Sequence, residues 1–259
     1  MLEKRVAVVT GGAKGIGKGI CLKFAAEGCD VVVNAMHIEG ARKVAAEIQS
    51  AGRRALAIAA DVSDSTQVGD MVLRTLQEFG KIDILVNNAG GIAAAGEGPV
   101  EEISEQDWDR IIDINLKGQF LCCRAVIPHM KQHRYGKIVN ISSMGAIHPP
   151  APIVHYHAAK GGVLSLTKNL AFELAQFNIT VNSILPGPVY TEFFTELLKE
   201  STEAEKKEFF DTLESRVPMH RIGMPEDIAG VALFLASELS AYVTGESICA
   251  GGGLPLTPD

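Results

Sequence analysis

Seven short apolar runs, RVAVVT, DVVVNA, RALAIAAD, KIDILVNN, GKIVNIS, ITVNSILP and GESICAGG, recur along the chain, and a stretch with helical periodicity separates each from the next. Seven strands alternating with helices are the expectation. The runs lack strict period-two alternation, as a parallel sheet covered by helices on both faces demands. The predicted fold is α/β, a doubly wound seven-stranded parallel sheet. With no linker, repeat or low-complexity tract, residues 1–259 read as a single domain.

Composition narrows the function classes. Apolar residues make up 47% of the chain and charged residues 21%, a globular balance with ample material for a core. The formal charge is −7 and no Lys/Arg tract is present, which argues against nucleic acid as a partner. Five cysteines without a C-x-x-C pair predict buried, reduced thiols and neither a disulfide framework nor a metal site. His129 and His133 have helical spacing, but in the polar run KQHRYGK they read as an exposed helix end, and no metal is expected. Met1–Arg5 lead directly into a strand, and nowhere do eighteen apolar residues run together, so a cytoplasmic protein without a membrane segment is expected.

Between the sixth and seventh strands lie roughly 60 residues, far more than the dozen or so that one crossover needs. Residues 187–221 mix Tyr190, Phe193, Phe194, Leu197, Leu198, Phe209 and Phe210 with the charged run EAEKKEFF, a pattern that suits two amphipathic helices forming a lid. The following MPEDIAGVALFLAS reads as a covering helix with Pro225 near its start.

VVTGGAKGIGKGI follows the first strand and opens the first helix. Gly11, Gly15 and Gly17 let the backbone turn tightly and approach a pyrophosphate at exposed helix N–H groups. The spacing is G-x-x-x-G-x-G, not the general G-x-G-x-x-G. Further along stand Asp61 after the third strand, NNAG at 87–90 after the fourth, Asn115 in a helix, Ser143 after the fifth strand, Tyr156 and Lys160, and Pro186–Gly187 after the sixth strand. Most of these fall at strand C-terminal ends, where doubly wound sheets bind ligands.

In these motifs the chain resembles the short-chain dehydrogenase/reductase family in its compact form, over nearly its whole length. Thr10–Gly17 is similar to the family's glycine motif, Asn87–Gly90 to its sheet-stabilising motif, and Asn115, Ser143, Tyr156 and Lys160 to its catalytic tetrad. The resemblance implies a Rossmann fold and an NAD(P)-dependent alcohol dehydrogenase or ketoreductase. It implies cofactor contacts from Gly11, Lys14, Gly15, Ile16, Gly17, His37, Asp61, Val62, Asn88, Ala89, Gly90, Tyr156, Lys160, Pro186, Gly187, Val189 and Thr191. It also implies a homotetramer, with the helices around 105–132 and 153–177 at an interface.

An NAD site carries an acidic residue about 20 residues after the glycine loop, on the ribose hydroxyls. Ala35 stands at that place here. Lys14 and His37, with Arg42 nearby, offer positive charge to a 2′-phosphate, although Glu39 stands close by. NADP(H) is therefore expected in preference to NAD(H).

Apolar residues at 163, 166, 170, 174 and 177 mark residues 155–177 as one helix, on which Tyr156 and Lys160 share a face. A free tyrosine is only about one part in a thousand phenolate at neutral pH. A lysine ammonium one turn on, with the cationic ring of an oxidised nicotinamide, favours the anion. Tyr156 is then the proton donor for reduction and the base for oxidation, and Ser143 hydrogen-bonds the substrate oxygen. Lys160 tunes Tyr156 and holds ribose hydroxyls, and Asn115 links Lys160 to solvent through a water. For His155 and His157 a structural role is expected.

Tyr190, Phe193 and Phe194 predict an apolar roof for a hydrophobic alcohol or ketone such as a hydroxysteroid or cyclic ketone, and His148 is a candidate polar contact beside Ser143 and Tyr156. The alternative is a 3-oxoacyl-(acyl-carrier-protein) reductase, against which Phe177 stands where that branch has a basic residue, although Arg134 fills another basic position. A non-enzymatic dinucleotide-sensing module is the third reading.

Overall fold

The computed structural model describes residues 1–92 and 98–255. In chain order the strands are β1 (Val6–Val9), β2 (Asp30–Ala35), β3 (Ala55–Ala59), β4 (Ile84–Asn87), β5 (Gly136–Ile141), β6 (Ile179–Pro186) and β7 (Ser247–Ala250). They form one sheet in the order β3-β2-β1-β4-β5-β6-β7, and every pairing is parallel. A short extended segment, β8 (Gly252–Pro255), follows and was not expected. The helices are α1 (Gly15–Ala26), α2 (Ile38–Ser50), α3 (Ser65–Phe79), α4 (Glu105–Ile112), α5 (Gly118–His133), α6 (Val154–Leu174), α7 (Glu192–Leu197), α8 (Glu203–Arg216) and α9 (Pro225–Ala236).

Two hydrophobic cores explain why the strands read as continuous apolar runs. On one face Ala7, Val9, Val31 and Val33 meet α1, α2 and α9 through Ile20, Phe24, Ile48 and Ile228. On the other, Val8, Val32, Leu85 and Ile138 meet α3, α5 and α6 through Met71, Val126, Met130 and Leu174. Successive residues of one strand feed opposite cores, so both positions must be apolar.

The chain winds outward from β1 to β3, then returns to place β4 on the other side of β1. At that reversal the connections after β1 and β4 leave in opposite directions and open a crevice at the strands' C-terminal ends. Buried asparagines tie its floor together. Asn87 of β4 donates to Asn140 of β5 at 2.9 Å, and Asn140 donates to Thr167 of α6 at 2.9 Å, which fixes α6 against the sheet.

The helix expected over 155–177 is α6 followed by a 3-10 turn, Ala175–Phe177, that ends at Asn178 in the left-handed region. Residues 187–221 contain the expected pair of helices. A capping box closes the start of α8, with Thr202 Oγ1 accepting from Glu205 N–H and a Glu205 carboxylate oxygen accepting from Thr202 N–H. Asp113–Lys117 form a π turn between α4 and α5. Four cysteines are buried, but Cys249 is exposed on β7, the last strand of the sheet, contrary to the expectation of five buried thiols. His129 is not simply exposed: its Nε2 accepts the Ile82 N–H at 3.2 Å. Among the described residues no helix is long and apolar enough to cross a membrane, and no cluster of ligating side chains is spaced for a metal.

Candidate active site

The cradle after β1 is built by backbone shape. Gly11 and Gly15 hold φ of +62° and +51°, in the left-handed region that side chains disfavour. Thr10 Oγ1 accepts the N–H groups of Asn88 and Ala89, each at 3.0 Å, and so clamps the β4 loop to the β1 loop. Asn88 Nδ2 returns the link by donating to the carbonyls of Thr10 and Gly11. Gly17 fits beneath this clamp only because it lacks a side chain: a Cβ there would stand 2.5 Å from Asn88 Nδ2 and collide with the Gly11 carbonyl. The first turn of α1 has no side-chain cap and no acidic residue, so its N–H groups remain available to an anion. These features fit a dinucleotide's diphosphate.

A pocket of about 400 Å3 adjoins the cradle, lined by Ala35, Met36, His37, Asp61 and Val62 among others, with neither Glu39 nor Arg42 in its wall. Asp61 accepts from the Ser63 N–H at 2.9 Å and the Ser63 hydroxyl at 2.7 Å, which fixes its carboxylate at the pocket edge. Asn34, also in the wall, is buried, and its side-chain oxygen has no partner among the described residues. An adenosine group would meet polar atoms here without meeting a carboxylate at the end of β2.

The larger cleft, about 850 Å3, brings together Ser143, Tyr156 and Lys160 with the glycine loop, Pro186, Gly187, Val189 and Thr191. Lys160 is buried, and its Nζ donates to the Ile141 carbonyl at 2.9 Å, while Ser142 Oγ donates to the Lys160 carbonyl at 2.8 Å. The end of β5 is thus latched to α6. Burial lowers the Lys160 ammonium to about 8. Burial raises the Tyr156 phenol above its ordinary value, and hydrogen bonding with Ser143 acts the other way. Lys160 Nζ lies 5.5 Å from the centre of the Tyr156 ring, so the shared face is present. Among the protein's own groups burial dominates at the phenol, and the expectation set out above adds to Lys160 the cationic ring of an oxidised nicotinamide.

Asn115 occupies the π turn between α4 and α5 and is fully buried. Its Nδ2 donates to the carbonyls of Gly91 and Ile111, at 2.9 and 3.0 Å, and its Oδ1 accepts the Gly91 N–H at 2.9 Å. Both side-chain donor hydrogens are engaged with backbone. These bonds hold Gly91 at the cleft wall.

The remaining residues singled out above divide between the two spaces. Gly11, Lys14, Ala89 and Gly90 face both, and Gly15, Ile16, Gly17, Asn88, Phe193 and Phe194 face the larger cleft. Tyr190 and His148 line neither: the Tyr190 ring packs on Phe210 at 5.5 Å, and His148 lies exposed beyond the turn after Ser143. Leu197, expected in the lid, lines the cleft, and sequence reasoning missed Ile92, Glu192 and Glu196, which line it too. The carboxylates carried no signal, because charged residues at such spacing ordinarily face solvent on a helix.

A glycine cradle at the switch point, with a tyrosine, a lysine and a serine converging beside it, defines a nucleotide-linked oxidoreductase of the short-chain type, and the chain belongs to the short-chain dehydrogenase/reductase family. The family model described as enoyl-(acyl carrier protein) reductase matches residues 11–255. The chain is 42% identical, over 98% of both chains, to the BbsD subunit of a (2S)-((R)-hydroxy(phenyl)methyl)succinyl-CoA dehydrogenase from Thauera aromatica. It is 39% identical to a 3-oxoacyl-(acyl-carrier-protein) reductase from Thermotoga maritima, covering 98% of this chain and 99% of that one. The crystal structure of levodione reductase superposes with a TM-score of 0.92 at 31% identity over 100% of both chains.

Proposed function

We propose that the chain, acting as one domain with a lid over residues 187–221, transfers hydride between NADP(H) and a secondary alcohol or ketone bearing an apolar group, such as a hydroxysteroid or cyclic ketone. The observation that carries this reading is a single cleft in which Ser143, Tyr156 and Lys160 sit beside the phosphate cradle under Phe193, Phe194 and Leu197. Ala35 at the end of β2, with Lys14 and His37 beside it, supports the 2′-phosphorylated cofactor.

In this reading Ser143 donates a hydrogen bond to the substrate oxygen, and Tyr156 gives that oxygen its proton during reduction or removes it during oxidation. Bound cofactor supplies the hydride and, when oxidised, a cationic ring beside the phenol. Lys160, anchored by Ile141, directs its remaining N–H groups into the cleft toward ribose hydroxyls. Asn115 keeps Gly91 in place at the wall. Exposed apolar side chains on α5 and α6, Phe120 and the 91% exposed Phe172, support the homotetramer inferred from the family, and we place the assembly in the cytosol.

The succinyl-CoA and carrier-protein relatives favour a second reading, redox chemistry on an acyl thioester. Charge weighs against an acidic carrier: residues 192–216 hold eight acidic and four basic side chains, and Arg134 is engaged with the Gln176 carbonyl. A panel of cyclic ketones, steroids, 3-oxoacyl-CoA and 3-oxoacyl carrier protein, read by nicotinamide absorbance with NADPH and NADH, tests both readings. Preference for a thioester replaces the first reading, and a higher kcat/KM with NADH overturns the cofactor assignment. Tyr156→Phe is expected to keep cofactor binding and to lose about 100- to 10,000-fold in turnover, the range for a proton-transfer group. Tight cofactor binding without turnover across the panel points to the sensing module.

A further inference from the structure

His157 follows Tyr156 on α6 and lines neither pocket, yet it touches the supports of both groups assigned to the substrate oxygen. The Tyr156 and His157 rings meet edge to face, with centroids 5.9 Å apart. On its other side the imidazole fills the space over Gly145, in the 3-10 turn Met144–Ala146 that begins at Ser143. A methyl carbon on Gly145 would stand 2.5 Å from His157 Cδ2, 2.6 Å from its Nε2 and 3.4 Å from Ser143 Oγ. The ring and the serine hydroxyl therefore flank one small volume that only a glycine leaves open.

The turn has two attachments that matter here. Gly145 donates its N–H to Ser143 Oγ at 3.1 Å, so displacement of Gly145 moves the donor that orients the serine. Ala146 N–H bonds the Ser143 carbonyl at 3.0 Å, so the turn moves as a unit. Burial, more than the neighbouring His155, lowers the imidazole from its ordinary value.

We infer that His157 is a positioning residue, a wedge between the catalytic helix and the Ser143 turn that sets the distance from the serine hydroxyl to the tyrosine phenol. The inference rests on the reading that Ser143 and Tyr156 act on the substrate oxygen. A hydroxyl displaced by about 1 Å at such a site costs up to roughly a hundredfold in rate.

The test is a cycle of His157→Ala, Gly145→Ala and the double variant, with His157→Gln and Tyr156→Phe alongside. It reads kcat, KM and cofactor affinity by fluorescence quenching. His157→Ala is expected to lower kcat by roughly 10- to 100-fold with KM and cofactor Kd within about twofold, and His157→Gln to restore part of the loss by refilling the space. Gly145→Ala alone collides with the ring. In the double variant the methyl enters the vacated space, and turnover exceeds the product of the single losses by about tenfold. Wild-type turnover in His157→Ala, or losses that multiply, overturns the inference. If His157→Ala does not fold, Gly145→Ala and His157→Gln carry the test: turnover near wild type in Gly145→Ala overturns the inference, and a kcat-selective loss in it supports it. An active Tyr156→Phe enzyme removes the site reading itself, whereas inactive Tyr156→Phe beside fully active His157→Ala removes only the wedge.

Discussion

The floor of the cleft and its lid are held by different physics. The floor is a network of short-range directional bonds: Thr10 to Asn88 and Ala89, Asn87 to Asn140 to Thr167, Lys160 to Ile141. The lid is held by aromatic packing, with Phe194 against Phe193, Phe209 and Phe210 at 5.5 to 5.8 Å, and by exposed ion pairs such as Lys199–Glu196 and Lys206–Glu203. Exposed pairs of this kind contribute little, and α8 has no buried residue. In the proposed reading the floor fixes the reacting atoms, and α7 and α8 are free to vary with the substrate at small cost to the fold.

The sharpest way to break that division is at Gly17. Its replacement by alanine drives a methyl against Asn88 Nδ2 and the Gly11 carbonyl, and Gly11 is already in the left-handed region. Overpacking of this kind costs about 1–3 kcal/mol, so cofactor Kd is expected to rise by roughly 10- to 100-fold. Fluorescence titration of NADPH measures it. An unchanged Kd means that the cradle yields and the floor is softer than its bonding indicates.

Phe194→Ala acts on the other side of the comparison. Phe194 is the one buried residue of α7 and touches three other phenylalanines. Its loss is expected to loosen α7 and α8 locally, raise substrate KM about tenfold and leave cofactor Kd within about twofold. Limited proteolysis is expected to cut first within 192–216. A global loss of stability, with cofactor binding weakened in step, would show that lid and floor form one cooperative unit.

The same contrast explains what the sequence made legible. Strands that feed two cores must be apolar at every position, and a glycine that must accept φ near +60° admits few substitutes, so both left marks in the residue pattern. Tyr156 and Lys160 sharing a face followed from helix geometry alone. Tyr190 and His148 line neither pocket, because the direction of a side chain in a loop is set by tertiary packing, which periodicity does not encode. The contact between His157 and Gly145 joins residues twelve apart in different elements, and the engagement of Asn115 with Gly91 depends on a π turn. Neither spacing carries a local signal.

Lid and floor meet at Glu192, where the expected effect is smallest. Its Oε2 lies 3.4 Å from the place a Cβ would occupy on Gly15, at the start of α1, and Glu196 adds a second carboxylate within the field of Lys14. A diphosphate seated on the cradle brings like charge toward Glu192, with the cleft only partly shielding one from the other. Glu192→Gln keeps the side chain's shape and removes the charge, so cofactor Kd is expected to fall by about two- to fivefold, the scale of a screened pair near a protein surface. Because the Debye length shrinks from about 30 Å at 0.01 M salt to about 3 Å at 1 M, the gain should fade as salt is added. Titrations of both proteins across that range check it. Weaker binding by the variant would mean that Glu192 supports the bound cofactor, through the lid's closure over it, more than its charge opposes the phosphates.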